Sequence, residues 1–108
     1  MAFPGFTSYC ISKGGMRMFM RNLAVELGPM NITINNIAPG AIQTPINTKL
    51  MEDKSKLDAL LRNIPLNRLG STVDVAEVAA FLASDKAGYI TGSTYVIDGG
   101  LMRNYHEQ

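Results

Sequence analysis

The segment that decides the fold of this chain begins with Tyr9-Cys10-Ile11-Ser12-Lys13-Gly14-Gly15. A turn signal, Pro4-Gly5, precedes it, and Gly28-Pro29 is a strong stop, so we predict one long helix over residues 8–27. Tyr9 and Lys13 are four residues apart, which places both side chains on one face of that helix. The ammonium of Lys13 favours the phenolate form of Tyr9. Such a tyrosine can give or take a proton at an alcohol or carbonyl oxygen.

Apolar side chains occur on more than one face of the predicted helix. One stripe at helical spacing comprises Met16, Phe19, Met20, Leu23 and Leu27. Ile11, Met18 and Val25 fall on other faces. A helix that is apolar on several sides is normally buried on several sides. We therefore expect one side to pack on a sheet and another to meet a second subunit.

The rest of the chain alternates strands and helices. After the long helix we predict a β-branched strand over 32–37 that ends at Ala38-Pro39-Gly40, and then an amphipathic helix or helix pair over 50–63 that stops at Pro65. A further helix runs from Ser71-Thr72 to about Ser84. The last predicted strand covers 94–97 and is closed by a structural turn at Asp98-Gly99-Gly100. Strands separated by helices indicate parallel pairing in an α/β fold. Because two parallel strands do not make a stable sheet alone, we expect the chain to be part of a larger sheet.

Composition excludes several classes of protein. The 108 residues suffice for one small domain, and Lys plus Arg number 10 against 9 for Asp plus Glu, so no basic surface for nucleic acid is expected. No apolar run approaches a membrane span, and the N-terminus lacks the pattern of a signal peptide. One cysteine, Cys10, and one histidine, His106, provide neither a disulfide nor a metal site. We expect a cytoplasmic protein without a metal.

The order of three features is specific. Tyr9 and Lys13 are followed by a strand ending in Pro39-Gly40, and Thr44 comes shortly afterwards. This order resembles the short-chain dehydrogenase/reductase family, whose members carry Tyr-x-x-x-Lys, a strand ending in Pro-Gly, and then a threonine. The resemblance extends over residues 4–101 and includes the runs at 64–70 and 96–100. Within the family, residues 4–18 and 38–47 are most similar to glucose 1-dehydrogenase-like members.

The resemblance implies a fold and an activity. The fold would be the C-terminal part of a Rossmann-type doubly wound parallel sheet in three layers, with residues 1–108 forming a partial domain. The activity would be hydride transfer between NAD or NADP and a carbonyl or secondary alcohol, with a sugar such as glucose as a candidate substrate. Relatives of this kind are homo-oligomers, so a dimer or tetramer built on the long helix is expected.

The resemblance also implies residue roles. Tyr9 would be the catalytic acid/base, and Lys13 would assist it and hold the nicotinamide ribose. Pro39 and Gly40 would line the nicotinamide pocket. The backbone of Ile42 would bond the carboxamide, and Thr44 would contact the carboxamide or the pyrophosphate. Residues 48–64 would form a mobile cover over the substrate.

Other parts of the family pattern are missing. No Gly-rich phosphate loop occurs, and the family's catalytic serine and relay asparagine would precede Tyr9, outside this chain. We therefore expect a fragment of an oxidoreductase that is inactive alone. Two alternatives are a short non-catalytic protein that pairs with a full-length relative through its long helix, and an unrelated binding module. Thr72 departs from relatives that place proline there, but Ser71 or Thr72 can cap the helix.

Overall fold

The computed structural model of the protein describes residues 5–45 and 48–103. Features assigned from the sequence to Pro4, Ile46, Asn47 and His106 lie outside these residues. Four α-helices and two strands are described, in the order α1 (Thr7–Leu27), β1 (Asn36–Pro39), α2 (Thr48–Glu52), α3 (Lys54–Asn63), α4 (Thr72–Leu82) and β2 (Thr94–Ile97). Single turns of 3-10 helix follow α1 at Gly28–Met30 and precede β2 at Asp85–Ala87. Within the described residues, no helix is long and apolar enough to cross a membrane.

Helix α1 confirms the long helix predicted over residues 8–27. Its backbone continues into the 3-10 turn that contains Pro29, and Asn31 then takes a left-handed conformation with φ of 60°. Only Met20 and Ala24 of α1 are buried, whereas Phe19 is 64% exposed. The expected burial on several sides is therefore not provided by the described residues.

Strand β1 lies further along the chain than predicted. The expected strand over 32–37 is wrong in its limits, since β1 spans Asn36–Pro39 and includes the proline expected to end it. The reason is that side chains hold the preceding residues: the Ile34 N–H donates to Oγ1 of Thr91 at 3.0 Å, and the Asn35 amide donates to the Ile90 carbonyl at 3.1 Å. Asn35 thus satisfies backbone groups, since its side-chain oxygen also accepts a bond from the Ser93 N–H at 3.1 Å.

The two strands form one two-stranded sheet. The Asn36 N–H donates to the Ser93 carbonyl at 2.9 Å, and the Gly40 N–H donates to the Ile97 carbonyl at 2.8 Å. Both partners advance in the same direction along the chain, so the pairing is parallel, as predicted. The limits predicted for the last strand are confirmed by β2.

One helix or a helix pair was expected over residues 50–63, and the structure has the pair, α2 and α3. The Asp53 carboxylate caps α3 by accepting a bond from the Lys56 N–H at 3.2 Å. Helix α3 ends at Asn63, because Ile64 precedes a proline and is extended, with φ of −101° and ψ of 111°.

Helix α4 begins with a capping box. The Ser71 hydroxyl accepts a bond from the Asp74 N–H at 3.2 Å, and the Asp74 carboxylate accepts one from the Ser71 N–H at 2.8 Å. Thr72 therefore does not prevent this helix from forming, as expected from the sequence.

The chain folds as two compact units. Of the described residues, the first unit comprises those up to Asn36 together with Ser84–Tyr95, and among its buried side chains are Met20 and Ala24. The second unit comprises the described residues between Ile37 and Ala83 and those from Val96 to Arg103, and Ile42 and Ile64 are buried within it. The boundary passes through both strands, because Asn36 and the first half of β2 belong to the first unit.

Candidate active site

Tyr9 and Lys13 are brought together in the first unit. Both lie near the start of α1, and the Nζ atom of Lys13 is 5.6 Å from the centroid of the Tyr9 ring. This distance is within the range of a cation–π contact. The four-residue spacing therefore places the two side chains on one face of the helix, as predicted. Tyr9 is 54% exposed, which leaves a phenol and an ammonium accessible on the same face of the helix.

Two neighbouring side chains contact Tyr9. The ring of Phe6 meets the Tyr9 ring edge to face, at a centroid distance of 6.4 Å and an angle of 79°. The Ser12 hydroxyl donates to the carbonyl of Tyr9 at 2.8 Å, so it serves the helix backbone. Lys13 forms no ion pair with the residues that the structure describes. Its charge is therefore available to Tyr9 or to a ligand with hydroxyl groups.

Pro39 and Gly40 belong to the second unit, where Gly40 is required by packing. Pro39 is exposed at the end of β1. A Cβ atom on Gly40 would lie 2.5 Å from Cβ of Asp98 and 2.9 Å from its Cα. Asp98 is fixed in turn, since its carboxylate accepts bonds from the N–H groups of Gly100 at 2.9 Å and Met102 at 3.0 Å. Asp98 thus forms the structural turn expected from the sequence.

Ile42 and Thr44 lie beyond Gly40 in the same unit. Ile42 is buried and forms an isolated parallel bridge with Gly70. The bridge has two bonds, from the Gly70 N–H to the Ala41 carbonyl at 2.9 Å and from the Gln43 N–H to the Gly70 carbonyl at 2.8 Å. Thr44 is half-buried at a bend. Pro39, Gly40, Ile42 and Thr44 therefore form one continuous segment whose middle is held by Gly70.

An ion pair next to this segment was not anticipated. Nη1 of Arg68 lies 2.9 Å from Oδ2 of Asp74. Hydrogen bonds from the Arg68 side chain and from the Ser71 N–H lower the pKa of Asp74 to about 2. The bond between Arg68 and Asp74 also raises the pKa of Arg68. The sequence did contain a signal, because a serine three residues before an acid is a capping-box spacing.

A cavity of about 210 Å³ lies in the second unit. Apolar side chains line it together with the Arg68–Asp74 ion pair and residues of two glycine-containing turns. The lining residues are Ala41, Ile42, Leu66, Arg68, Gly70, Asp74, Ile97, Asp98 and Gly99. The buried Ile42 therefore faces open space on one side and the Gly70 turn on another.

A family model described as enoyl-(acyl carrier protein) reductase matches residues 1–102. The chain belongs to the short-chain dehydrogenase/reductase family. A 3-oxoacyl-(acyl-carrier-protein) reductase of Haemophilus influenzae is 47% identical over 98 residues, which are 91% of this chain and 40% of that protein. The resemblance seen in the sequence is confirmed at the level of the family.

Solved structures of the family match the fold. A mutant of 4-hydroxyisoleucine dehydrogenase, complexed with NADH and succinate, has a TM-score of 0.91 at 33% identity and covers 98% of this chain. A protein assigned as a 2-deoxy-d-gluconate 3-dehydrogenase of Agrobacterium tumefaciens, with bound NADP, has a TM-score of 0.83 at 36% identity and covers 89% of this chain. The expected fold class, the C-terminal part of a Rossmann-type parallel sheet, is confirmed.

The chain spans about two fifths of the length of these family members, 40% of the reductase and 44% and 39% of the two dehydrogenases. Their names refer to an acyl carrier protein, an amino acid and a sugar acid. Membership of the family therefore leaves the substrate open, and the glucose 1-dehydrogenase-like branch is not specifically indicated.

Proposed function

We propose that residues 1–108 are the C-terminal, catalytic part of a longer oxidoreductase, hereafter the parent protein. It transfers a hydride between NAD or NADP and a carbonyl or secondary alcohol. The observation that carries this proposal is the position of Lys13 Nζ, 5.6 Å from the exposed ring of Tyr9 at the start of α1. The nicotinamide nucleotides bound to two structurally similar family members support it.

In this proposal Tyr9 moves the proton. When the substrate is reduced, its carbonyl carbon receives the hydride and its oxygen receives the proton from the Tyr9 hydroxyl. The Lys13 ammonium, whose Nζ is 5.6 Å from the Tyr9 ring, places a positive charge beside the negative charge that remains. A bound nicotinamide would supply or accept the hydride. In oxidation the proton returns to Tyr9.

The donor groups of this pair fit a nucleotide ribose. The Lys13 ammonium has three N–H donors, and the described residues occupy none of them in an ion pair. We assign Lys13 and Tyr9 to the ribose hydroxyls. Pro39 and Gly40 line the nicotinamide pocket, the Ile42 backbone bonds the carboxamide, and Thr44 contacts the carboxamide or the pyrophosphate.

Residues 48–64 are proposed to cover the substrate. Helices α2 and α3 lie in this stretch and are separated by Asp53, the cap of α3. A cover of this kind excludes water while the hydride moves. Because of the resemblance to glucose 1-dehydrogenase-like members, a sugar such as glucose is the first substrate to test.

The parent protein is proposed to be a cytoplasmic homo-oligomer, a dimer or tetramer. Ile11 and Val25 of α1 are 69% and 78% exposed, and a second subunit would cover such a surface. Light scattering that finds a monomeric parent protein would contradict this part of the proposal.

Replacing Tyr9 by phenylalanine tests the proposed chemistry. In the parent protein, Tyr9→Phe should lower turnover by roughly a hundredfold to ten-thousandfold, the usual contribution of a general acid. Cofactor affinity should fall by about tenfold at most, the worth of the one bond between the Tyr9 hydroxyl and the ribose, since Lys13 remains. Tyr89→Phe is the matched control, because Tyr89 is fully exposed at 104% and lies in a loop. Equal turnover in wild type and Tyr9→Phe would exclude Tyr9 as the acid/base.

A second candidate function is the pairing of a short non-catalytic protein with a full-length relative. The observation in its favour is the apolar surface of α1, where Phe19 is 64% exposed. Co-expression of residues 1–108 with a full-length relative, followed by size-exclusion chromatography, tests it. A stable mixed complex would support pairing, and separate elution would argue for the parent oxidoreductase.

A further inference from the structure

The turn at residues 68–71 is hydrogen-bonded to residues 41–43, the segment that precedes Thr44. Gly70 bonds to both neighbours of Ile42, through its N–H to the Ala41 carbonyl and through its carbonyl to the Gln43 N–H, at 2.9 and 2.8 Å. These two bonds fix the backbone on either side of Ile42, the residue proposed to meet the carboxamide.

The carboxylate of Asp74, which lies in the first turn of α4, holds the turn at residues 68–71. Its Oδ2 atom accepts bonds from Nη1 of Arg68 at 2.9 Å, from the Ser71 N–H at 2.8 Å and from the Ser71 hydroxyl at 3.1 Å. Nη1 of Arg68 also donates to the Leu69 carbonyl at 3.1 Å. The residues on both sides of Gly70 are therefore tied to one carboxylate oxygen.

The turn also packs closely on Ile42. A Cβ atom on Gly70 would lie 2.6 Å from Cδ1 of Ile42 and 3.7 Å from Oδ2 of Asp74. A side chain at residue 70 would have to displace Cδ1 of Ile42, so the turn lies directly against this side chain. A movement of the turn therefore strains or breaks its two backbone bonds to residues 41 and 43.

We propose that Asp74, together with Arg68, is a positioning residue for the nicotinamide end of the cofactor. It holds the Gly70 turn, and the turn holds the backbone of residues 41–43 where the carboxamide binds. This inference rests on the proposed function of the chain as part of a nicotinamide-dependent enzyme.

The competing explanation is that Asp74 only caps α4. Asp53 provides the comparison, because it caps α3 in the same unit through a bond from the Lys56 N–H, and no bond joins it to the Gly70 turn. Asp53→Ala and Asp74→Ala each remove a helix-capping carboxylate. Only the second should disturb residues 41–43.

The test compares the binding of two ligands to the parent protein by calorimetry. One is NADH or NADPH, whichever the wild type binds more tightly, and the other is ADP-ribose, which lacks the nicotinamide. Asp74→Ala should raise the Kd of the nicotinamide nucleotide roughly fivefold to tenfold, the worth of about one hydrogen bond, and leave that of ADP-ribose unchanged. Arg68→Gln keeps the capping box and should act in the same direction, by about twofold to threefold. Glu77→Ala, which removes an exposed carboxylate from α4 outside the turn, should change neither Kd.

The other outcomes are equally decisive. The inference is overturned if Asp74→Ala raises the Kd of both ligands equally or changes neither Kd. If Asp74→Ala does not fold, Arg68→Gln serves as the test variant. If the wild type binds no nicotinamide nucleotide, the proposed function fails. Hydrogen exchange without ligand then tests whether Asp74 holds the Gly70 turn against residues 41–43. Faster exchange of the Gln43 and Gly70 amides in Asp74→Ala, but not in Asp53→Ala, would support this role. Unchanged exchange in Asp74→Ala would refute it.

Discussion

Replacing Gly40 by alanine should destabilise the protein although it adds only one methyl group. The new Cβ would lie 2.5 Å from Cβ of Asp98. That is about 1 Å closer than the separation of ~3.5 Å at which carbon atoms attract each other. Overpacking of this kind costs about 1–3 kcal/mol. We expect the upper end, because the Asp98 Cα would be 2.9 Å away and the carboxylate is held by the Gly100 and Met102 N–H groups.

Urea unfolding of the parent protein, followed by circular dichroism, measures this effect. Gly14→Ala is the matched control, because no atom of the residues that the structure describes lies within 4 Å of the added Cβ and Gly14 is in the interior of α1. Alanine is favoured over glycine there by roughly 0.5–1 kcal/mol, so the control should be more stable than wild type. If Gly40→Ala unfolds at the wild-type urea concentration, the close contact between Gly40 and Asp98 does not exist in solution.

Three further predictions concern stability and association. Met20→Ala should cost about 2–5 kcal/mol in urea unfolding, because Met20 is 3% exposed, and a cost below ~1 kcal/mol would contradict its burial. Val25→Asp at a residue 78% exposed should shift the parent protein towards smaller assemblies in light scattering, and an unchanged mass would remove Val25 from the proposed interface. Asp74 has a pKa of about 2 against an ordinary value of 3.8, so its charge stabilises the fold above pH 3.8 and loses that effect as the pH falls through 2. The urea midpoint of wild type should accordingly exceed that of Asp74→Asn at pH 6, and the difference should shrink between pH 4 and pH 2. A difference that does not change with pH would contradict the ion pair.

The elements that sequence predicts well are those whose signals are local. The limits of α1 follow from Gly28-Pro29, and the four-residue spacing of Tyr9 and Lys13 is enough to bring their side chains together. The end of α3 follows from Pro65. Each of these outcomes depends on residues within one or two helical turns.

The features that were missed depend on residues far apart in the chain. The start of β1 is set by where β2 begins and by the bond from the Ile34 N–H to Thr91. Nothing in residues 32–37 themselves carries that information. Gly70 ends the run at 64–70 that resembles the family, but its pairing with Ile42 appears only in the structure. Similarly, Pro39-Gly40 signals a turn, whereas the structure requires glycine because Asp98 lies against it.

Calorimetric titration of NADH and NADPH into the parent protein and its Lys13→Met variant tests the assigned cofactor site. Methionine keeps the length and apolar stem of Lys13 and removes its charge and its N–H donors. We expect the wild type to bind one of the two nucleotides with micromolar affinity, and we expect Lys13→Met to weaken this binding about tenfold or more. Absence of binding to the wild type, or equal affinity in the two proteins, would contradict the assignment of Tyr9 and Lys13 to a nicotinamide-dependent active site.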